Sequence, residues 1–430
     1  MKIGFISLGC AKNLVDSEYL IGLFQDPYFE IETNPKNCDA ILINTCGFIL
    51  SAKEEAINTI LEMAELKKDK LRYLIVTGCL TQRYYEDLKN EMPEVDLFIK
   101  IEDYYKAHEL LEELFNHKFI NTYGKNRKLI NGNISAYLKI SDGCDNRCAY
   151  CAIPLIRGNN RSYPIEDLVK EAKRLYDLGI RELNVVAQDT TTYGRDLYNE
   201  LALDKLIKEL DKIDFKWIRI LYMYPDEIED ELLDTIKASK HVIPYFDIPV
   251  QYGNDELLKL MNRRGSVKLI EERIAKIREM FKDAYIRTTF IVGFPGETDE
   301  SFKDTIEFIK RVKFDSLGAF TYSKEEDTKA FDMDGEVEEE TKQARYKELM
   351  LTQKEIVEEK LKAKIGKHYE ALIENYGNGK YIARSFESAP DDVDSYIFVE
   401  GKDIKVGDFV EIEIIGYNDY DLLAKVVKEA

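Results

Sequence analysis

The stretch AYLKISDGCDNRCAYC, Ala136 to Cys151, decides how the chain is read. Its first part, Ala136–Ile140, is a short apolar run suited to a buried strand. Its second part sets Cys144, Cys148 and Cys151 at Cys-x3-Cys-x2-Cys spacing. Thiols this close together, in a chain whose N-terminal apolar stretch is too short for a signal peptide, point to a metal or cluster site rather than a disulfide framework. The bland alternative is three unrelated small apolar residues. Zinc would want a fourth protein ligand at a matching distance. No His follows closely, and the nearest other cysteine is Cys79, far upstream. Iron held by thiolates fits better. Three thiolates on a four-iron cluster leave one iron open, which a catalytic metal site needs.

Downstream of this stretch, strand and helix patterns alternate. Strands are expected at Ala136–Ile140, Glu182–Val186, Trp217–Leu221, Tyr245–Ile248, Tyr285–Val292 and Ser316–Phe320. One intervening helix is well marked. Pro164 opens it, Leu168, Val169, Ala172, Leu175 and Tyr176 make its apolar face, and Gly179 lies past its end. Six such units predict a partial (βα)6 barrel, which works at the carboxyl ends of its strands. The Cys144 loop, Gln188–Asp189, Tyr222, Gln251 and Gly293–Glu297 fall on that edge.

Upstream, three further cysteines each end an apolar run. Cys10 follows IGFISLG, Cys46 follows AILINT and Cys79 follows YLIVTG. A helical pattern comes after each, and after Cys46 the pair Ser51 and Glu54 has capping-box spacing. The intervals of 36 and 33 residues suit one strand–helix unit each. Such units build a parallel sheet by right-handed crossovers, and residues just past the strands gather on one edge. Cys10, Cys46 and Cys79 are therefore expected to meet in space as a second three-thiolate set. The alternative is that they are small buried residues at strand ends. Cys38 precedes its strand and has no expected role.

The remaining texture completes an α/β architecture. Residues 1–118 form an N-terminal parallel-sheet α/β domain with VDLFI as its fourth strand. Residues 119–134 are a polar linker rich in Asn and Gly. Residues 135–362 are the barrel and a trailing helix from Glu338, taken as a solvated surface element. The segment TYSKEEDTKAFDMDGEVEEE ahead of that helix is acidic and expected to be irregular. From residue 363, short alternating segments between Gly, Asn, Asp and Pro predict a small all-β barrel. The chain has 81 acidic against 61 basic residues, a formal charge of −20, which disfavours DNA or other bare nucleic acid and favours a basic partner. The excess is spread: 13 basic and 21 acidic residues in 1–118, 40 and 46 in 119–362, 8 and 14 in 363–430. No 18-residue apolar run exists, so no membrane span is expected, and a cytoplasmic location is.

The motif SDGCDNRCAYC resembles the radical S-adenosylmethionine (SAM) enzymes, with Tyr150 in the aromatic place of Cys-x3-Cys-x-aromatic-Cys. The turn IVGFPGE, Ile291 to Glu297, resembles a later strand of the same family. With Cys10, Cys46 and Cys79 ahead and a TRAM-like β-barrel behind, the whole chain resembles the radical SAM methylthiotransferases. SLGCAKNLVDSE, AQDTTTYGRDLY, WIRILYMYPD, IPVQYGN and ARSFESAPDDVDSYIFV resemble the branch that modifies a ribosomal-protein aspartate. Tyr252 stands where that branch often has His, Ser395 where Gly is usual, and Asp327 where a Gly is usual. None of these departures removes a cysteine.

The resemblance implies a transferase that adds a methylthio group to the β-carbon of an aspartate in the small-subunit ribosomal protein numbered twelve. It implies two 4Fe-4S clusters, one on Cys144, Cys148 and Cys151 and one on Cys10, Cys46 and Cys79, with SAM on the open iron of the first. An unactivated C–H cannot be deprotonated by a side chain, so a cofactor radical must take the hydrogen. The second cluster is thought to carry the sulfur. Tyr150, Gln188, Gln251 and Gly293 are the implied cofactor contacts, each with an ordinary packing alternative; Gly293 would allow close backbone approach. Arg157 and Arg161 could grip a carboxylate, or make surface salt bridges. An electron donor and a sulfur donor are implied as further partners. Two other functions stay open: the same chemistry on a tRNA adenosine, and a non-catalytic iron–sulfur electron carrier. A zinc-dependent structural protein is a third alternative.

Overall fold

The computed structural model describes residues 1–130, 134–391 and 394–428. Asn131–Asn133 of the expected linker, and Asp392 and Val393 of the tail motif, lie outside the described residues. The chain divides into two compact units. The first comprises Met1–Tyr163 with Val186–Gln188 and Ser323–Asp332, and the second holds Pro164–Val185, Asp189–Tyr322 and Met333–Ala430.

The first unit opens with β1 (Lys2–Ser7), α1 (Ala11–Leu23), β2 (Glu30–Ile31), β3 (Ala40–Thr45), α2 (Leu50–Glu65) and β4 (Tyr73–Gly78). It continues with α3 (Cys79–Arg83), α4 (Tyr85–Glu91), β5 (Leu97–Ile99) and α5 (Ala107–Phe115). All five strands pair in parallel, in the order β2-β1-β3-β4-β5. Side chains alternate between faces along each strand. Ile3, Leu42 and Ile75 therefore face one core with Leu20 of α1, Phe24 just past its end and Leu111 of α5. Ile43, Leu74 and Val76 face the other, against Ala56 and Ile60 of α2 and Leu88 of α4. Burial on both faces explains why these strands read as unbroken apolar runs.

The capping box expected at Ser51 and Glu54 does not form. The helix starts at Leu50 with Ile49 as its cap, which puts Ser51 already inside the first turn. Cys38 is a packing residue, fully buried beside Gly4. Residues 116–130 contain no helix or strand, yet they are held down. Phe119 stacks on Phe29, and Arg127 is ion-paired with Glu18.

The first unit ends with β6 (Ser135–Lys139), β7 (Ser141–Asp142), α6 (Ile153–Arg157) and β8 (Arg161–Ser162). β7 and β8 pair antiparallel, closing the cysteine loop between them.

The second unit contains α7 (Ile165–Asp177), β9 (Glu182–Val186), α8 (Arg195–Tyr198), α9 (Leu203–Leu210), β10 (Trp217–Ile220), α10 (Asp230–Ala238) and β11 (Val242–Asp247). Then come α11 (Asp255–Leu260), α12 (Val267–Met280), β12 (Tyr285–Val292), α13 (Asp299–Val312), β13 (Ser316–Thr321) and α14 (Glu339–Lys362). Strands β9 to β13 are parallel neighbours in chain order. With β6, they occupy the six positions expected from sequence. Helix α7 starts after Pro164 and ends before Gly179, which has φ +100°.

Helix α14 departs from expectation. One face is buried, through Lys342, Arg345, Leu349, Gln353, Ile356 and Leu361. Arg345 bonds the buried Glu297 at 2.7 Å, and the Lys342 stem fills the space beside Gly293. Its charged residues hid this because long side chains bury their stems while their heads find partners.

The tail is a closed barrel of β14 (His368–Gly377), β15 (Lys380–Ser385), β16 (Ile397–Glu400), β17 (Phe409–Asn418) and β18 (Asp421–Lys428), in the order β14-β15-β16-β18-β17. Closure removes free edges. Ala371, Ile373, Ala383, Val399 and Ile412 fill it, and Leu361 of α14 packs against the same cluster.

Candidate metal centre

Three strand exits carry the N-terminal cysteines. In the β1-β3-β4 register, Ser7 lies opposite Asn44, and Asn44 opposite Thr77. Cys10, Cys46 and Cys79 each follow within a few residues, so all three stand at the same sheet edge. Two glycines let the exits close up. A Cβ on Gly9 would lie 3.1 Å from the Cys46 sulfur, and one on Gly47 would lie 2.7 Å from the Leu80 backbone. No side chain fits at either place.

Asn13, on the first turn of α1, ties the exits together. Its Nδ2 donates to the Leu8 carbonyl at 3.1 Å and to the Thr45 carbonyl at 2.9 Å. Its Oδ1 lies 3.4 Å from Cys79 Sγ and accepts from Arg157 Nη2 at 2.6 Å. Asn44 in turn donates to the Asn13 carbonyl at 2.9 Å.

The three thiols differ in environment. Cys10 is reached by solvent, Cys46 is half-buried and Cys79 is buried. Crowding opposes ionisation of Cys10, but Lys12, Arg157 and the backbone N–H groups of Asn13 and Lys12 outweigh it and hold the thiol below its usual range. Cys10 also stands at the N-terminus of α1, where a helix favours an anion. Burial pushes the Cys46 thiol up, with Cys10 adding repulsion. Burial pushes Cys79 up to about 11, against the pull of Arg157. Cys10 and Cys46 both raise Cys79, as neighbouring like charges do.

The second cysteine set lies in the same unit. Cys144, Cys148 and Cys151 are all half-buried. The Cys144 N–H donates to Gly158 O at 3.1 Å, and the Cys151 N–H to Cys148 O at 3.0 Å. Ala152 and Ile156, which follow this loop, pack directly against Cys79. A buried ionic network joins the two regions. Arg157 bonds Asp142 at 2.8 Å and Asp16 at 2.9 Å, while Lys139 bonds the same two carboxylates. Tyr163 donates to Asp142 at 2.5 Å. Burial alone would raise the Asp142 carboxyl; Lys139 and Arg157 overcome it and hold the group well below its usual range.

Arg157 is therefore not a surface residue. Its side chain is 1 % exposed, whereas Arg161 is exposed. Sequence reading passed over Asn13, Asp16, Lys139 and Asp142. The only available signal was their position: Asn13 and Asp16 follow Cys10 at helical spacing, and Lys139 and Asp142 flank the end of β6.

A peptide strap, Ser323–Asp332, crosses the first unit. Glu325 pairs with Lys53 at 2.9 Å and Arg83 at 3.0 Å, and Tyr84 donates to Glu326 at 2.6 Å. At its other end the Ala330 N–H donates to Ala149 O at 2.8 Å, inside the cysteine loop.

The expected cofactor contacts fall in both units. Tyr150 and Gln188 are half-buried in the first. Gln251 and Gly293 are in the second. Gln251 has φ +76°, and its buried Oε1 has no hydrogen-bond partner. Tyr222, at the exit of β10, also has positive φ, +59°. Such backbone is costly for residues other than glycine and collects at functional edges. The Gly293 N–H is engaged by Glu297 at 2.8 Å, and Lys342 carbons occupy the side a Cβ would take.

The donors are three thiols at the sheet edge and three in the Cys144 loop, a set that suits iron held by thiolates. The buried Arg157 Nε also lacks a partner, leaving a donor for an anionic group beside the thiols.

Three family models match along the chain: the uncharacterized protein family UPF0004 at residues 2–100, the radical SAM superfamily at 138–309 and the TRAM domain at 365–427. Among solved structures, the radical SAM methyltransferase TsrM from Kitasatospora setae shares the fold, with a TM-score of 0.57 over 74% of each chain at 13% identity. Fold and site thus define a radical SAM transferase. The ribosomal protein uS12 methylthiotransferase RimO of Alkaliphilus oremlandii is 48% identical over the full length of both chains. That of Clostridium botulinum is 46% identical over 100% of this chain and 99% of its own. The chain belongs to the RimO family of ribosomal protein uS12 methylthiotransferases.

Proposed function

We propose that the chain attaches a methylthio group to the β-carbon of an aspartate in ribosomal protein uS12, using SAM and two 4Fe-4S clusters. Cys144, Cys148 and Cys151 hold one cluster; Cys10, Cys46 and Cys79 hold the other. Bound, these groups supply what side chains cannot: an electron to cleave SAM into a hydrogen-abstracting radical, and sulfur for transfer. The chain's own residues hold and orient them. Three thiolates per set would leave one iron of a four-iron cluster without a protein ligand. Tyr150, Gln188 and Gln251 are the proposed SAM contacts; Gly293 enters through the turn it permits, since its N–H is already engaged.

The observation that carries this reading is the gathering of Cys10, Cys46 and Cys79 at one sheet edge, in the same unit as the Cys144 loop. The proposed division is 1–118, 135–362 and 363–430, with 119–134 between. The enzyme is placed in the cytoplasm, served by an electron donor and a sulfur donor. Among the described residues no helix is long and apolar enough to cross a membrane.

Mass spectrometry of ribosomal proteins and tRNA from cells with and without this chain tests the proposal. The mass increment of a methylthio group replacing hydrogen on a uS12 aspartate is the expected result. The same increment on a tRNA adenosine, with uS12 unmodified, would move the enzyme to the other branch.

A further inference from the structure

Arg157 serves two buried carboxylates and still has a donor to spare. With Lys139 it balances Asp16 and Asp142, two cations against two carboxylates. What Arg157 alone supplies is a guanidinium turned to the thiols. Its Nη2 lies 3.7 Å from Cys79 Sγ and bonds Asn13, the residue that ties the three exits. Its Nε is buried without a partner. The side chain is 1 % exposed, so water does not screen it.

Its place in the chain matters equally. Arg157 closes α6, the short helix directly after the Cys144–Cys151 loop. Ala152 and Ile156 of the same segment pack on Cys79. One rigid piece of backbone thus ends the radical SAM motif and presents a cation to the other cysteine set.

We propose that Arg157 is a positioning residue for the group on Cys10, Cys46 and Cys79: it donates to that group's sulfur, stabilises its reduced state and fixes it against the Cys144 loop. The inference rests on the two-cluster reading and deepens it. Hydrogen bonds and positive charge near cluster sulfurs raise the reduction potential, because they favour the more negative form. Arginine suits the task better than lysine, since its fork serves Asp142, Asn13 and Cys79 at once.

The test uses the full chain with Cys144, Cys148 and Cys151 changed to Ala, so that only the N-terminal set can hold a cluster. After anaerobic reconstitution, iron is counted and the cluster is titrated potentiometrically by electron paramagnetic resonance. Arg157→Gln and Arg157→Lys are compared with the parent, and Lys139→Gln removes a cation from the same network without touching sulfur. The expected result is a midpoint moved to more negative potential in Arg157→Gln, less so in Arg157→Lys and least in Lys139→Gln. If Arg157→Gln loses iron while its melting temperature holds, Arg157→Lys carries the comparison. An unmoved midpoint, or equal shifts for Arg157 and Lys139, overturns the proposal. A parent that binds no iron overturns the two-cluster reading itself, and the proposal with it.

Discussion

At the scale of single residues, Asn13 shows how much one amide can organise. It donates to two strand-exit carbonyls and accepts from Arg157, and all of these groups are buried or nearly so. Asn13→Ala strands the Thr45 carbonyl and one donor of Arg157. The expected loss is about 1–3 kcal/mol, the usual cost of an unsatisfied buried group. Urea unfolding of the reconstituted protein measures it, and iron content falls alongside because the exits are no longer held. Wild-type stability in Asn13→Ala would refute this account. The placement of Cys10, Cys46 and Cys79 at strand exits was legible in sequence because their spacing matches strand–helix units. Asn13, Asp16 and Lys139 were not, since polar residues on a helix or strand read as solvated until the tertiary fold buries them. Arg157 misled for the same reason: its surroundings come from α1, α3 and β7, distant in sequence.

At the scale of elements, the informative pieces are those that a local pattern cannot describe. The strap Ser323–Asp332 has no periodicity, and its acidity suggested an irregular segment. It is irregular apart from a short turn at Lys329–Asp332, but Glu325 is 2 % exposed and faces two cations. Removing one partner of such a buried set costs about 3–5 kcal/mol in comparable cases. Glu325→Ala should free the strap locally, so hydrogen exchange at the Ala330 amide rises well before global melting changes. Unaltered exchange there would count against a fastened strap. The barrel is pinned by a comparable device. Glu182 at the start of β9 bonds Arg219 of β10 and Arg384 of β15 at 2.9 and 2.5 Å. Burial opposes its ionisation, yet the two arginines lower its pKa from 4.5 to about 2. A lowered carboxylate stabilises the fold above its unfolded pKa, and that stability disappears as pH falls from 4.5 towards 2. The linkage amounts to about 3 kcal/mol. Glu182→Gln should be less stable at neutral pH and show a flatter acid limb in this window, as read by circular dichroism; an identical limb in both proteins would remove Glu182 from the explanation.

At the scale of the whole molecule, the α/β architecture was legible because short apolar runs alternate with period-3.6 patterns, and the closed terminal barrel because its segments alternate at period 2 between turn residues. The first compact unit gathers segments from three parts of the sequence, which no local pattern marks. Charge is the property that belongs to the molecule entire. The acidic excess of 20 is shared by the N-terminal, central and tail regions, so it is not the signature of one acidic loop. A distributed negative field attracts a basic protein from several ångströms away and repels bare nucleic acid. Its effect belongs mainly to encounter, because exposed charges are screened beyond about 8 Å at physiological salt while short-range contacts, once made, are not. If a basic ribosomal protein is the substrate, its association rate with this enzyme should fall roughly tenfold or more between low and high salt, with a much smaller change in dissociation. Surface plasmon resonance with immobilised uS12 separates the two rates. A salt-insensitive association rate would mean that recognition is carried by a local patch, and that the acidity of the rest of the chain serves solubility alone.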